Sequence, residues 1–180
     1  MTNLYFSEIE TWRIPESAIA DALAEMSIDG RDGNEGIALF LGQDNDDGDA
    51  EVTHLVKLRG PGLKKRPAQI NIDAALLNEV TDVAIENKVR LLGQVHSHGP
   101  GYGIALSRTD RVYGIKTPYY LSLVAPDYGL SAAPIQRWGV HVFREQQGYV
   151  QLSAVEADRR IQLVPDMDVY VITVGVEDGY

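Results

Sequence analysis

The order of apolar and polar positions divides the chain into helical and strand-like stretches. Pro15 to Met26 (PESAIADALAEM) places apolar residues at helical spacing after a proline start, which predicts a first helix followed by the turn-rich SIDGRDGN. Glu35 to Gly42 (EGIALFLG) is a short continuous apolar run, and EVTHLVKLRG alternates after a polar break through Ala50. Together they predict a β-hairpin with an acidic tip. PGLKKRPA, with two prolines and three basic residues, reads as a surface loop leading into a second helix over Asp73 to Val89, where Ala75, Leu76, Val80, Val83 and Ala84 keep helical spacing.

Beyond that helix, RLLGQVHSH has the pattern of a buried strand and runs into the glycine-rich GPGYGIAL, and Ser107-Arg-Thr-Asp opens a short helix. YYLSLVAPD, WGVHVFRE, GYVQLSAVE and DVYVITVGV read as further strands, separated by turns such as Asp127-Tyr-Gly. No internal repeat or linker interrupts the sequence. The expectation is a single domain over residues 1–180, of α+β class, with helices layered on one mixed central sheet.

Composition narrows the chemistry. At 180 residues, 44% hydrophobic and 23% charged, the chain is long enough to bury a core without staples. It has no cysteine, which removes disulfides, thiolate ligands and a thiol nucleophile and leaves His, Asp and Glu to build any metal site. A formal net charge of −10 argues against a nucleic-acid partner, since phosphate binding rests on clustered Lys and Arg. No apolar run is long enough to cross a bilayer and the first residues lack the pattern of a secretory signal, so a soluble, cytoplasmic protein with no membrane partner is expected.

Residues two apart on a strand point to the same side, so His96 and His98 in V-H-S-H present both imidazoles to one face. A catalytic zinc takes three protein ligands and keeps a fourth position open, and Asp110, in the first turn of the next helix, can complete such a triad. Gly99, Pro100, Gly101, Gly103 and Ala105 make the intervening loop compact enough to bring Asp110 back. Taken singly, each residue also has a plainer reading: Glu35 as a solvated residue ahead of a core strand, Ser107 as a helix cap, Asp110 as a carboxylate favoured by the helix dipole. His54 and His141 read as structural strand histidines. The acidic tip Asp44, Asp46, Asp47 and Asp49 lacks the ordered ligand spacing of a calcium loop. The basic run Lys64-Lys65-Arg66 could contact an acidic face of a protein substrate.

The combination is more specific than its parts. Glu35 at the head of an apolar strand, H96-S-H98, eight intervening residues and S107-R-T-D110 resemble the signature of the JAMM (MPN+, or JAB domain) zinc metallopeptidases. The spacer is one residue longer than the seven usual in that family, and the resemblance runs from about Glu35 to Val124. It implies a deaminase-like three-layer fold, one zinc ion per chain held by His96, His98 and Asp110, Glu35 as the group that activates the attacking water, and Ser107 as the oxyanion-stabilising hydroxyl. The reaction implied is hydrolysis of an amide or isopeptide bond.

Stand-alone members of this size resemble deubiquitinases, so the expected substrate is a ubiquitin-like protein, processed at its tail or removed from a conjugate. Activating and conjugating enzymes of a shared bacterial conjugation or antiviral defence system are the partners such a context implies. A peptidase acting on a sulfur-carrier protein or small peptide, and a metal-free MPN scaffold that binds protein partners, are the alternative readings.

Overall fold

The structure is a computed structural model and describes residues 8–175. Along the chain the elements are Thr11–Pro15 (β1), Glu16–Arg31 (α1), Ile37–Asp44 (β2), Asp49–Leu58 (β3), Leu63–Arg66 (β4), Gln69–Ile72 (β5) and Ala74–Glu86 (α2). They continue with Arg90–Ser97 (β6), Arg108–Tyr113 (α3), Leu121–Ala125 (β7), Gly139–Arg144 (β8), Gly148–Gln151 (β9), Ala154–Arg160 (α4), Ile161–Val164 (β10) and Tyr170–Val174 (β11). Among the described residues, nine strands form one mixed sheet in the order β10-β1-β3-β2-β6-β7-β8-β9, with β11 also paired to β3. The fold is therefore of mixed α and β class with a mixed central sheet flanked by helices.

The continuous apolar run in β2 follows from its place at the middle of the sheet. It pairs antiparallel with both β3 and β6, so both of its edges are bonded, and its two faces are covered by the α1 and α2 clusters. Ala38 and Phe40 belong to the core cluster that holds Ala18, Ile19, Ala22 and Met26 of α1. Ile37, Leu39 and Leu41 point to the other side, into the cluster with Leu76, Val80 and Ala84 of α2. Strand alternation thus puts α1 and α2 on opposite faces, giving a helix–sheet–helix sandwich.

Most predicted elements are present, with differences that have local causes. The first helix runs past Met26 to Arg31 through the stretch read as a turn. Gly30 permits this, because a Cβ there would lie 2.6 Å from Tyr128 Cβ, which packs directly on the helix. The hairpin with the acidic tip forms between β2 and β3, and Asn45 Oδ1 accepts from the backbone N–H groups of Asp47 and Asp49 to fold that tip.

PGLKKRPA is not a loop. It supplies β4, whose partner β5 follows the tight turn at Pro67-Ala68. Leu63, Ile70 and Ile72 turn inward onto the α2 cluster while Lys64 and Arg66 face solvent. GYVQLSAVE also divides: the strand stops at Gln151, and Ser153 caps α4 in a reciprocal bond with Glu156. β1 and β10 are too short to announce themselves and form where β1 lies parallel between β10 and β3. The last strand is present as Tyr170–Val174, and the end of its predicted span at Val176 lies outside the described residues.

Glu25 of α1 is buried and sits in an ion pair with Arg59, just beyond β3, with Lys57 Nζ at 3.8 Å. Replacing Arg59 would leave the buried Glu25 carboxylate dependent on the more distant Lys57, so the pair ties α1 to the end of β3.

Candidate metal centre

β6 ends at the rim of the sheet, and its last residues carry the histidine pair. His96, Gln94 and the directly following His98 lie on the α2 face, and both histidines are buried. The chain then loops out through exposed Pro100 to Gly103 and returns at Leu106, before α3 brings Asp110 back over the strand end. Asp110 Oδ2 lies 3.4 Å from His98 Nε2 and 3.8 Å from His96 Nε2, while the two Nε2 atoms are 3.2 Å apart.

These separations suit a metal. Ligand atoms about 2.0–2.1 Å from a tetrahedral zinc stand about 3.3 Å from one another, as the edges of the tetrahedron require. The three donors already converge to that spacing, within 4.8 Å overall, and among the described residues they form the group able to hold a metal ion. His98 is oriented for a metal, because its Nδ1–H donates to the Gly103 carbonyl at 3.0 Å, so that the neutral ring would present the Nε2 lone pair inward.

Asp110 is oriented by its own helix start. Ser107 N–H donates to Asp110 Oδ2 at 2.8 Å, and Asp110 N–H donates to Ser107 Oγ at 3.1 Å, a complete capping box. Oδ2 is the same oxygen that faces the histidines. In the cap the Ser107 hydroxyl oxygen accepts the Asp110 N–H, and the hydroxyl also helps to hold the Asp110 carboxyl below its ordinary range.

The returning loop is pinned further along. Leu106 N–H donates to His141 Nε2 and His141 Nδ1–H donates to the Ser122 carbonyl, each at 3.4 Å. Gly139 allows the loop to cross close to β8: a Cβ there would meet the Ile104 carbonyl oxygen at 1.9 Å. His54, on β3, takes its Nδ1 bond with the Thr53 hydroxyl and packs against the ring of Tyr170. Neither histidine joins the triad, in keeping with their structural reading.

Glu35 arrives through strand pairing. Ile37 pairs with His96 across β2 and β6, and Gly36 and Ser97 exchange two further bonds, Ser97 N to Gly36 O and Gly36 N to Ser97 Oγ. Continuing that register sets Glu35 opposite His98. Glu35 is buried, at 3% exposure. Burial pushes its carboxyl up to about 7, with the nearby His98 charge pulling it down and Asp110 pushing it further up. Burial opposes the Asp110 anion as well, but hydrogen bonds with His96 and His98 outweigh it and hold that carboxyl well below the usual range. For His98, burial disfavours the cation, while Asp110, Glu35 and the Gly103 carbonyl raise its pKa above the ordinary value.

A cleft of about 100 Å³ opens beside the triad, between α3 and the β4–β5 hairpin, with Ile37, Ile70, Ile72, Leu77, Tyr113 and Ile115 as its apolar walls. The hairpin is tied to the site: Glu35 N–H donates to the Arg66 carbonyl, Lys65 pairs with Asp29 of α1 at 2.7 Å, and the Tyr128 hydroxyl donates to the Pro67 carbonyl at 3.3 Å. Lys65 is thereby spent on α1. All five residues expected from the sequence therefore meet at one end of the sheet. The sequence reading missed Gln94, which contacts His96 and lines the cleft, because an uncharged amide in a strand carries no signal of its own.

The chain matches no model of a known protein family. No curated protein matches it either. Among solved structures it is similar to the solution structure of protein DSY2949 from Desulfitobacterium hafniense, at a TM-score of 0.61 and 16% identity over 87% of this chain and 95% of the other. At that identity the likeness concerns the fold alone. Among the described residues, no helix is long and apolar enough to cross a membrane.

Proposed function

We propose that the chain is a zinc-dependent peptidase of the JAMM (MPN+) type that hydrolyses the amide or isopeptide bond following the C-terminal tail of a ubiquitin-like protein. The observation that carries this reading is the convergence of His96, His98 and Asp110 at tetrahedral spacing with the buried Glu35 carboxyl beside them.

His96 Nε2, His98 Nε2 and Asp110 Oδ2 are the atoms that would hold the ion. Zinc supplies Lewis acidity there, polarising a carbonyl and lowering the pKa of water toward neutrality. Glu35, whose proton affinity sits near neutral pH, can take a proton from the attacking water and return it to the leaving amine. The Ser107 hydroxyl, held at the helix start, can donate to the developing oxyanion.

The cleft has apolar walls at Ile37, Ile70, Ile72, Leu77, Tyr113 and Ile115, and an extended peptide laid along them would reach His96 and Asp110. Among the described residues the outer edge of β5 pairs with no other strand, so Gln69–Ile72 can take an added strand by backbone hydrogen bonding. A ubiquitin-like substrate, and the activating and conjugating enzymes that would make its conjugates, fit that mode, and the acidic surface suits a protein in preference to a nucleic acid.

The test is cleavage of a reporter peptide fused behind the tail of a ubiquitin-like protein, and of an isopeptide-linked conjugate, by zinc-loaded wild type and Glu35→Ala. Wild type should cleave, and Glu35→Ala should keep its zinc and lose cleavage by about 100-fold or more. Zinc-loaded wild type that cuts neither substrate would end this reading. Loss of zinc in Glu35→Ala would make Glu35 a ligand and overturn its role as a proton shuttle.

A further inference from the structure

Gln94 stands two residues before His96 on β6, with its side chain on the same face and against the cleft. Its amide touches three groups. Nε2 lies 3.2 Å from His96 Nδ1 and 3.3 Å from Ser122 Oγ, and Oε1 accepts from the Tyr120 hydroxyl at 3.1 Å. Tyr120 and Ser122 are buried at 1% exposure each, so these contacts are shielded from water.

In this arrangement the amide nitrogen donates to His96 Nδ1. A neutral imidazole that accepts at Nδ1 carries its hydrogen on Nε2, and Nε2 is the atom that faces His98 and Asp110. A metal at the triad requires the opposite tautomer, with the lone pair on Nε2 and the hydrogen on Nδ1. His98 has that tautomer fixed by a backbone carbonyl. His96 instead has Gln94 at its Nδ1.

Building on the metal reading above, we propose that Gln94 is the positioning residue for His96, turning its amide over on zinc loading so that Oε1 accepts the His96 Nδ1–H and holds the ring in its metal-binding tautomer. The exchange needs only rotation about the terminal torsion, since amide oxygen and nitrogen are almost equal in size. Both supporting groups are hydroxyls, which can reverse their roles: Ser122 turns to donate to Oε1 and Tyr120 to accept from Nε2. The buried network is therefore hydrogen-bonded in either sense without displacement of heavy atoms. A glutamate at this position could serve the loaded sense alone, and a leucine neither. Loss of such an outer support at a metal-binding histidine costs roughly 10–100-fold in affinity.

The experiment measures the zinc dissociation constants of wild type, Gln94→Glu and Gln94→Leu by competition with a chromophoric chelator, and the imidazole nitrogen resonances of ¹⁵N-labelled wild type with and without zinc. Gln94→Leu should bind zinc roughly 10–100-fold more weakly, and Gln94→Glu should restore binding to near the wild-type level. In wild type the His96 hydrogen should sit on Nε2 without zinc and on Nδ1 with it. Wild-type zinc affinity in a folded Gln94→Leu would overturn the proposal, as would a His96 that keeps one tautomer in both states. Should Gln94→Leu fail to fold, the wild-type resonances decide alone. Failure of wild type to bind zinc would sink the metal reading itself, an outcome distinct from equal affinities in wild type and variant.

Discussion

Asp110 Oδ2 accepts the backbone N–H of Ser107 at 2.8 Å and at the same time stands 3.4 Å from His98 Nε2, so one oxygen closes a helix cap and completes the histidine site. The cap fixes the carboxylate before any ion arrives. This reconciles the two readings the sequence offers for Ser107 and Asp110, because helix start and donor set use the same atoms for compatible purposes.

Asp110→Ala should therefore lose zinc and local order together. Zinc affinity is expected to fall by more than the roughly 10–100-fold that loss of an outer support costs, and the missing cap should destabilise the fold by about 1 kcal/mol. Elemental analysis after dialysis against metal-free buffer, paired with denaturant unfolding, measures both. Retention of one zinc per chain would remove Asp110 from the ligand set.

Ser107→Ala separates the roles of the two groups on that residue. The backbone N–H that orients Asp110 remains, so zinc content should match wild type, while loss of the hydroxyl should lower turnover by roughly 100-fold. An unchanged kcat would assign the hydroxyl to the cap alone.

Gly139→Ala tests the path of the loop between the histidines and Asp110. The new Cβ would drive into the Ile104 carbonyl, and because that group is backbone the loop itself must shift. The expected cost is about 1–3 kcal/mol, read as a lower Tm, accompanied by weaker zinc binding because the loop also carries the Gly103 carbonyl that orients His98. A Tm equal to wild type would show that the loop yields without strain.

His141 gives the fold a dependence on pH. Burial, only partly offset by the Ser122 carbonyl, pushes its pKa down from 6.5 to about 4. The unfolded chain takes up this proton as the pH falls through 6.5, while the folded chain refuses it until about 4. Stability tied to neutral His141 is thus complete above pH 6.5 and is lost across that window, by roughly 3 kcal/mol in total. Unfolding free energies at pH 7 and 4.5 should differ less in His141→Gln than in wild type, and equal differences would clear His141 of this role.

What the sequence reveals and what it hides divide along the range of the interactions. The His96–Ser97–His98 alternation and the Ser107–Asp110 cap are local, and both are legible because strand period and capping chemistry act within a few residues. Glu35 is legible only through its resemblance to a family signature, since its partner in register lies across the sheet. α4 left a readable S-x-x-E cap at Ser153 to Glu156, obscured by the apolar residues before it. β1 and β10 pair across nearly the whole chain, and neither contains a pattern that names the other. Lys64 to Arg66 shows the opposite error: prolines and charge suggest a loop, but alternate inward residues and one tight turn make a hairpin.

The loop from His98 to Ser107 is held at two points, by Gly103 to His98 and by Leu106 to His141. Between His98 and the first fastening lie only Gly99 and the exposed residues Pro100 to Tyr102. A change of length can be absorbed in that bulge without moving either support. The same bulge is a natural graft point, where a fluorophore at the exposed Tyr102 or a short inserted epitope would leave both supports in place.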